Sequence, residues 1–407
     1  MPTAVRRTIT WVLFPLALAL LLQATQELYH EPGSRMLDME VYRTAVRAVL
    51  DGVDPYMVTS GSQELLFGYP PFSLLVLLPF GSPGLYTVAV AWTALSIAGL
   101  QAAIYVTLRG VGVRWALPIA MAATVPALLV QPVDQVLQSG QVSLALVALV
   151  VLDLRVPDGS RFKGVLSGLA AGLKIYPAAF VLYYALTGRR RAAGTLVATA
   201  AGTVVLGWVV FPAYSAEFWL DLAWETDRLA PIGWVDNESM RAMLARVMHS
   251  EDVTAPWLVA SALAVVAGAV TVRAAHRIGE DGLGAVAVTL AMVLVSPVAW
   301  HHYWVWLVPM SILVGDAAWR RGSRLLWVCA VVPIAVLALR ISVWVIPDPP
   351  YDPLTLDVVP VITTSICTYV AMLVLAGLCA WTSGHRDGTP AARTRSGAAA
   401  DSGRVSR

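Results

Sequence analysis

The sequence predicts an all-α polytopic membrane protein of about 11–12 transmembrane segments, with amphipathic helices in its first outer loop. Three observations predict it. The 407 residues are 58% hydrophobic and only 13% charged, with mean hydropathy +0.69. A soluble chain of this length would need far more charge to cover its surface. Apolar runs of membrane-crossing length recur along the chain. The few charges gather in short runs between those segments.

The apolar segments fall near residues 8–25, 84–108, 114–131, 141–153, 164–187, 192–212, 255–275, 282–299, 302–317, 325–345 and 357–381. The first, after Arg6-Arg7, reads as an anchor, because Gln23-Ala24-Thr25-Gln26-Glu27 is a poor cleavage site. Residues 69–80 open on Pro70-Pro71 and are too short to span, which predicts a re-entrant or surface piece. Residues 164–187 have cytoplasmic-type charge at both ends, so they must go up and come back. Pro177 disfavours helix at Tyr176 and sets the expected break at Lys174-Ile175-Tyr176-Pro177. Residues 1–382 read as a single transmembrane domain with outer loops 26–83 and 212–254. Residues 383–407 are polar and of low complexity and read as a disordered tail.

Charge orients these segments. Arg6/Arg7, Arg109/Arg114, Arg155/Arg161/Lys163, Arg189–Arg191, Arg273/Arg277 and Arg320/Arg321/Arg324 mark the cytoplasmic side. Residues 26–68 hold seven acidic and three basic residues, and residues 212–254 hold eight and three, so both loops face outward. Both termini are then cytoplasmic, in a multi-pass plasma-membrane protein. Net charge +2 excludes no partner by itself, but no basic face for nucleic acid appears. Cys329, Cys367 and Cys379 lie in apolar runs and read as core residues. No spacing calls for a metal, and no cofactor is expected.

Residues 37–50 read as an amphipathic helix. Leu37, Val41, Ala45, Ala48 and Val49 share one face, Tyr42 and Val46 its edge, and Glu40, Arg43 and Arg47 the opposite face. Asp38 falls on the apolar face, either as an ordinary N-terminal cap or as a carboxylate presented to a ligand. The charge-based topology brings other polar groups to the same side. They are Lys174, one of only two lysines, His301 and His302, Arg340, Gln138 and Gln141, and the 234–246 stretch with Asn237, Glu238 and Arg241. Cations suit an anionic, phosphorylated ligand, and a carboxylate suits a general base acting on a hydroxyl. The convergence points to transfer chemistry on a lipid-borne phosphate or to transport of an anion. A transporter or flippase would show an inverted repeat and charges near the midplane. The sequence shows no repeat, and its polar groups gather at one face.

Several motifs occur in order: Asp38-x-x-x-Tyr42, Leu50-Asp51-Gly52-x-Asp54-Pro55-Tyr56, Tyr69-Pro70-Pro71, Ser139-Gly140-Gln141, Gly168 through Pro177, and Ser296-Pro297-x-x-Trp300-x-His302. With them the chain resembles the polyprenyl-phosphate-mannose-dependent mannosyltransferases of glycosyltransferase family 87, within the GT-C superfamily, over most of residues 8–345. It looks closest to the α-1,2-mannosyltransferases that elongate phosphatidylinositol mannosides. The resemblance implies an inverting transfer from a polyprenyl-phosphate-mannose donor to a glycolipid acceptor at the outer face of the membrane. It implies Asp38 as base, and His302 as a second catalytic residue that orients acceptor or touches phosphate. Lys174 and Arg340 are the candidate phosphate-binding cations. Tyr42, Tyr69, Gln141, Tyr176, Asn237, Glu238 and His301 are candidate substrate contacts. The family often has His-His where this chain has His302-Tyr303, and Asn-Gln-Ser where it has Asn237-Glu238-Ser239. A polyprenyl-phosphate-arabinose or -glucose transferase of the same architecture fits the same residues.

Overall fold

A computed structural model describes residues 36–385 except 62–63, 230 and 347–350. The expected first span at 8–25, residues 347–350 and the tail beyond residue 385 lie outside the described residues. The described chain is almost entirely helical. Its one sheet is a two-stranded hairpin pairing β1 (Thr59–Ser60) with β2 (Leu65–Leu66).

Helix α1 (Leu37–Leu50) leads to α2 (Pro71–Leu77), α3 (Leu85–Gly110), α4 (Ala116–Ala127), α5 (Gln131–Ser139) and α6 (Ser143–Arg155). There follow α7 (Val165–Leu173), α8 (Phe180–Leu186), α9 (Arg190–Val210), α10 (Pro212–Glu217) and α11 (Met240–Met248). The last group is α12 (Thr254–Arg277), α13 (Asp281–Val295), α14 (Leu307–Arg321), α15 (Arg324–Ala338), α16 (Val358–Thr363) and α17 (Ile366–Gly384). Four of these, α3, α9, α12 and α17, are long and apolar enough to cross a membrane. The bent pair α4 and α5 makes a fifth if it counts as one span. The segment expected at 114–131 therefore does not end as one straight helix. Pro126 and Pro132 interrupt it, and α5 turns away by 80°. Other apolar segments, including α13 and α15, form shorter helices.

The hairpin expected at 164–187 is present. Helix α7 ends at Lys174, whose backbone is extended, and Tyr176–Ala179 form a short 3-10 turn before α8 returns. Both arms pack against α9. Gly164 lies against Ala192, Gly168 against Thr199 and Gly172 against Thr203, so α7 runs alongside α9 in the same direction. Asp153 ties the base of this hairpin. Its buried carboxylate accepts from Gly164 N–H (2.9 Å), Ser167 Oγ (2.7 Å) and Tyr184 Oη (2.7 Å). At the same end, Lys163 and Arg189 pair with Asp158, Arg189 also with Asp281, and Arg320 and Arg321 with Glu280. Helix α2 packs instead near Gly207, at the opposite end of α9. Lys174 is thereby lifted away from the charged base.

Small residues set the spacing of this bundle. A Cβ at Gly168 would stand 2.6 Å from Thr199 Cβ and 2.7 Å from Leu196 O. We expect Gly168→Leu to push α7 off α9 and destabilise the protein by about 1–3 kcal/mol, as overpacking does. A lowered melting temperature in detergent, with transfer activity falling alongside, checks this.

Helix α1 is amphipathic as expected, but its buried face is broader. Met39 and Arg43 are buried with Val41, Tyr42, Ala45, Val46 and Ala48. Arg43, expected on the exposed face, donates to the carbonyls of Phe80 (2.8 Å) and Pro83 (2.7 Å). The 78–83 segment folds over that face, and its free carbonyls need donors.

Candidate active site

Asp38 lies in the first turn of α1. The helix start is tied to α5 by Met36 N–H donating to Gln138 O (2.6 Å). Asp38 does not serve as the cap: Met36 holds that position with no side-chain cap bond. The Asp38 carboxylate instead accepts from Gln141 Nε2 (2.8 Å). Gly140 makes this contact possible. It ends α5 in the left-handed region (φ 73°), and a Cβ there would stand 2.8 Å from Met39 Cβ. The Ser139-Gly140-Gln141 turn thus lets α1 and α5 close together and delivers Gln141 to Asp38.

The Gln141 amide has a fixed sense. Its Oε1 accepts from Val142 N–H (2.9 Å), Tyr42 Oη (2.8 Å) and Tyr69 Oη (2.9 Å), so the amide N–H₂ must face Asp38. Tyr42 and Tyr69 hydroxyls also touch at 2.9 Å, and Tyr56 Oη donates to Tyr69 O. Lys174 Nζ donates to Tyr69 Oη at 3.2 Å. One hydrogen-bonded chain therefore runs from the carboxylate to the ammonium: Asp38, Gln141, Tyr69, Lys174.

Lys174 sits among aromatic rings, 4.3 Å from the Tyr303 centroid, 4.9 Å from Tyr69 and 5.7 Å from Tyr176. Cation–π contacts hold the charge without spending its donors. An ammonium has three N–H groups and this one uses a single hydrogen bond, so it can still bind an oxyanion. Burial raises the Asp38 carboxyl above the ordinary carboxylate range. The Lys174 charge and the polar groups of Ser139 and Gln141 pull it part of the way back. The side chain itself is half-buried, because one edge opens onto a cavity.

That cavity has a volume of about 300 Å³. Asp38, Tyr69, Gln138, Gln141, Lys174, Trp234, Asp236, Trp300, His301, His302 and Tyr303 line it. A second, largely apolar groove of about 520 Å³ meets it at Gly68, Lys174, Leu229 and Tyr303. Ile175, Leu182, Leu186, Val265, Val288 and Val295 line the groove.

The expected residues divide accordingly. Asp38, Tyr69, Gln141, Lys174, His301 and His302 share the cavity. Tyr176 lines the groove and stacks near Tyr303 (4.9 Å). Tyr42 is fully buried one layer behind. His302 is buried with Nε2 unpartnered among the described residues. His301 lies between Glu238 Oε1 (3.2 Å from Nδ1) and Ser342 Oγ (3.3 Å from Nε2). Asn237 and Glu238 do not line the cavity; they hold its wall. Asn237 Oδ1 accepts from Ala299 N–H (3.0 Å) and Ser239 N–H (3.2 Å). Glu238 Oε2 accepts from Cys367 N–H (2.9 Å). Arg340 also stands outside the lining, paired with Asp134 at 2.8 Å. Asp134 accepts in turn from Gln138 (2.8 Å), which does line it. Tyr303, Trp234 and Trp300 complete the cavity. Tyr303 stands beside His302 in a motif already singled out, but a wall of aromatics at a membrane boundary reads first as an interfacial belt. Among the described residues no group of three His, Cys, Asp or Glu side chains is placed to hold a metal ion.

Gln141→Leu is expected to cut kcat about ten- to a hundredfold by letting the Asp38 carboxylate turn away. It also leaves two tyrosine hydroxyls and Val142 N–H without their acceptor, so the melting temperature falls too. Gln141→Glu keeps the acceptor but repels Asp38. It is expected to lose activity with a smaller loss of stability.

A helical membrane bundle that brings a carboxylate, an ammonium and an unpartnered imidazole to one chamber, beside an apolar groove, has the parts of a membrane-embedded group-transfer enzyme. The model of glycosyltransferase family 87 matches residues 67–297. The chain is 30% identical over 307 residues to a polyprenol-phosphate-mannose-dependent alpha-(1-2)-phosphatidylinositol mannoside mannosyltransferase of Mycobacterium tuberculosis, covering 70% of this chain and 72% of that one. It is 32% identical to the Mycolicibacterium smegmatis protein of the same name, over 76% and 75% of the two chains. It is also 32% identical to the phosphatidylinositol pentamannoside mannosyltransferase of that organism, over 72% and 73%. A solved structure, ArnT from Cupriavidus metallidurans bound to undecaprenyl phosphate, aligns with 91% of this chain and 77% of its own at 14% identity and TM-score 0.37. The chain belongs to glycosyltransferase family 87.

Proposed function

We propose that this enzyme moves mannose from a polyprenyl-phosphate-mannose donor to a phosphatidylinositol mannoside-type glycolipid, with inversion, forming an α-1,2 linkage at the outer face of the plasma membrane. One observation carries the reading: the apolar groove and the polar chamber meet at Lys174. A lipid phosphate needs this junction, with its chain in the groove, its charge on the cation and its sugar in the chamber. The names of the relatives support mannose as the sugar and the mannosylated lipid as acceptor.

In the proposed reaction Asp38 takes the proton of the acceptor hydroxyl as that oxygen attacks the anomeric carbon. The bond from that carbon to the phosphate oxygen breaks, and the phosphate leaves with the electron pair. Lys174 holds the charge it gains. His302 contributes its free Nε2 to acceptor or phosphate. Arg340 acts through Asp134 and Gln138 as a brace for the chamber wall. The ion-paired end with Lys163, Arg189, Arg320 and Arg321 faces the cytoplasm under the positive-inside rule, which turns the chamber outward.

The test is incubation of purified enzyme with polyprenyl-phosphate-mannose and a panel of phosphatidylinositol mannosides, followed by linkage analysis. An α-1,2-mannosylated lipid is expected. Equal or better turnover with polyprenyl-phosphate-arabinose or -glucose would overturn the sugar assignment. Uptake of substrate into proteoliposomes without any glycosyl product would overturn the reaction.

A further inference from the structure

Glu238 is a carboxylate with no exposed surface, and the transfer chemistry leaves it without a task. Its Oε2 accepts from Cys367 N–H (2.9 Å), which the oxygen of a neutral amide would do as well. A buried charge is instead unfavourable unless an opposite charge meets it. Among the described residues His301 is the side chain within ion-pair distance, with Nδ1 3.2 Å from Glu238 Oε1. The two atoms lie off the line of a straight hydrogen bond, yet neither has a hydrogen-bond partner among the described residues. Arg246, also buried, is committed to the carbonyls of Trp234, Asn237 and Thr364.

The other side of the imidazole faces oxygen too. Ser342 Oγ gives its one hydrogen to Gln131 Oε1 (3.0 Å), so toward His301 Nε2 (3.3 Å) it accepts. Asp236 Oδ1 lies 4.0 Å from the same nitrogen. Two ring nitrogens that both face acceptors call for two N–H groups, which is the imidazolium. His301 lines the catalytic chamber and Glu238 does not, so the pair presents its positive end to a substrate. The other titratable groups around the chamber are Asp38, Tyr69, Lys174, Asp236 and Tyr303, with His302 next to His301 in the same turn. A phosphodiester carries one negative charge, and the phosphate monoester it releases approaches two. Lys174 meets one of them. Arg340, the other cation expected at the phosphate, is held by Asp134 outside the lining.

We infer that Glu238 is a positioning residue for the transfer: through the ion pair it keeps His301 charged at the chamber wall, as a second cation for the phosphate that leaves. The inference rests on the transferase reading above. His301 neither gives nor takes a proton in the step. It supplies a fixed positive charge where negative charge grows.

The test measures kcat/KM for polyprenyl-phosphate-mannose over about pH 5 to 8, where an imidazole changes charge. It compares full-length wild type, Glu238→Gln, His301→Phe and the double variant in detergent. Glutamine can keep the bond from Cys367 N–H and lacks the counter-charge. Glu238→Gln is expected to approach wild type at the acid end, where His301 is protonated with or without a partner. At the alkaline end it should fall roughly tenfold behind, the effect of one opposite charge at this distance on proton binding. Asp38 and Lys174 titrate in all four proteins, so the ratio of variant to wild type isolates His301. His301→Phe is expected to be slower at every pH, and adding Glu238→Gln to it should cost nothing more. Nitrogen-15 NMR of histidine-labelled enzyme gives an arm independent of turnover. The His301 signal, identified by its absence from His301→Phe, should be that of an imidazolium at neutral pH in wild type and shift toward the neutral ring in Glu238→Gln. A loss that does not vary with pH, no loss at all, or losses that add in the double variant overturns the positioning role and leaves the transferase reading standing. A neutral His301 ring in the wild type overturns it as well, whether or not the variants fold. Absence of mannose transfer by the wild type overturns the transferase reading instead, and the NMR arm then decides the ion pair by itself.

Discussion

Asp38→Asn enzyme is expected to keep its fold, bind donor normally and lose turnover by about 10²–10⁴ in kcat, the usual worth of a positioned general base. Asparagine keeps the shape and can still accept from Gln141, so the local geometry survives. What disappears is the ability to take a proton. The same substitution should also raise the melting temperature at neutral pH. Burial lifts the folded pKa of Asp38 above the unfolded value of about 3.9. Between those two values the folded state binds more protons than the unfolded one, so stability falls as pH rises through that window. Above the folded pKa the whole cost of a buried charge is in place, and asparagine does not bear it. The melting temperatures of wild type and variant should therefore converge as pH drops below the unfolded value. Wild-type activity should fail on acidification at a pH above that of a free aspartate, while the residual activity of the variant lacks this limb. A variant that turned over at the wild-type rate would remove Asp38 from the mechanism. A variant that melted lower at neutral pH would show the carboxylate to be a structural strut.

Much of this site was legible from residue patterns, and the illegible parts share a cause. Pro177 makes the break beside Lys174 readable, because the ring restricts the residue before it whatever the tertiary context. The misplaced carboxylate on α1 is equally readable, since helical periodicity needs no knowledge of neighbours. The surroundings of Arg43 and Arg340 are not readable in this way, for the opposite reason. Each is placed by a partner that the pattern does not mention: the carbonyls of Phe80 and Pro83 for one, and Asp134, 206 residues away in sequence, for the other. Asn237 and Glu238 were readable as polar residues brought to the outer loop. Their burial as wall supports follows from long-range contacts, the bridge of Asn237 to Trp300, its bond from Ala299 and the bond of Glu238 from Cys367. Local constraints can be read from one segment, whereas long-range pairing cannot.

Lys174 should carry the second large effect. Lys174→Met keeps the length and the apolar stem but removes the charge, and it is expected to lower kcat/KM for the lipid donor by about 10²–10³, the scale of a lost donor to a charge that grows in the transition state. The aromatic surroundings decide what a cation can do here. Three tyrosine rings within 5.7 Å leave room for a compact ammonium, while a planar guanidinium would have to push them aside. Lys174→Arg is therefore expected to recover only part of the loss although it restores the charge. Removing the Lys174 charge also removes the cation that supports the Asp38 carboxylate, which can take up a proton instead of standing unpaired, so the methionine variant is expected to melt no lower than wild type. Loss of activity without loss of stability separates phosphate binding from packing. Binding of polyprenyl phosphate lacking its sugar gives the sharper measurement, because it isolates the phosphate from the acceptor chemistry at Asp38. If the methionine variant bound that lipid as tightly as wild type, the charge would have to be met elsewhere. Arg340, released from Asp134, would be the next residue to replace.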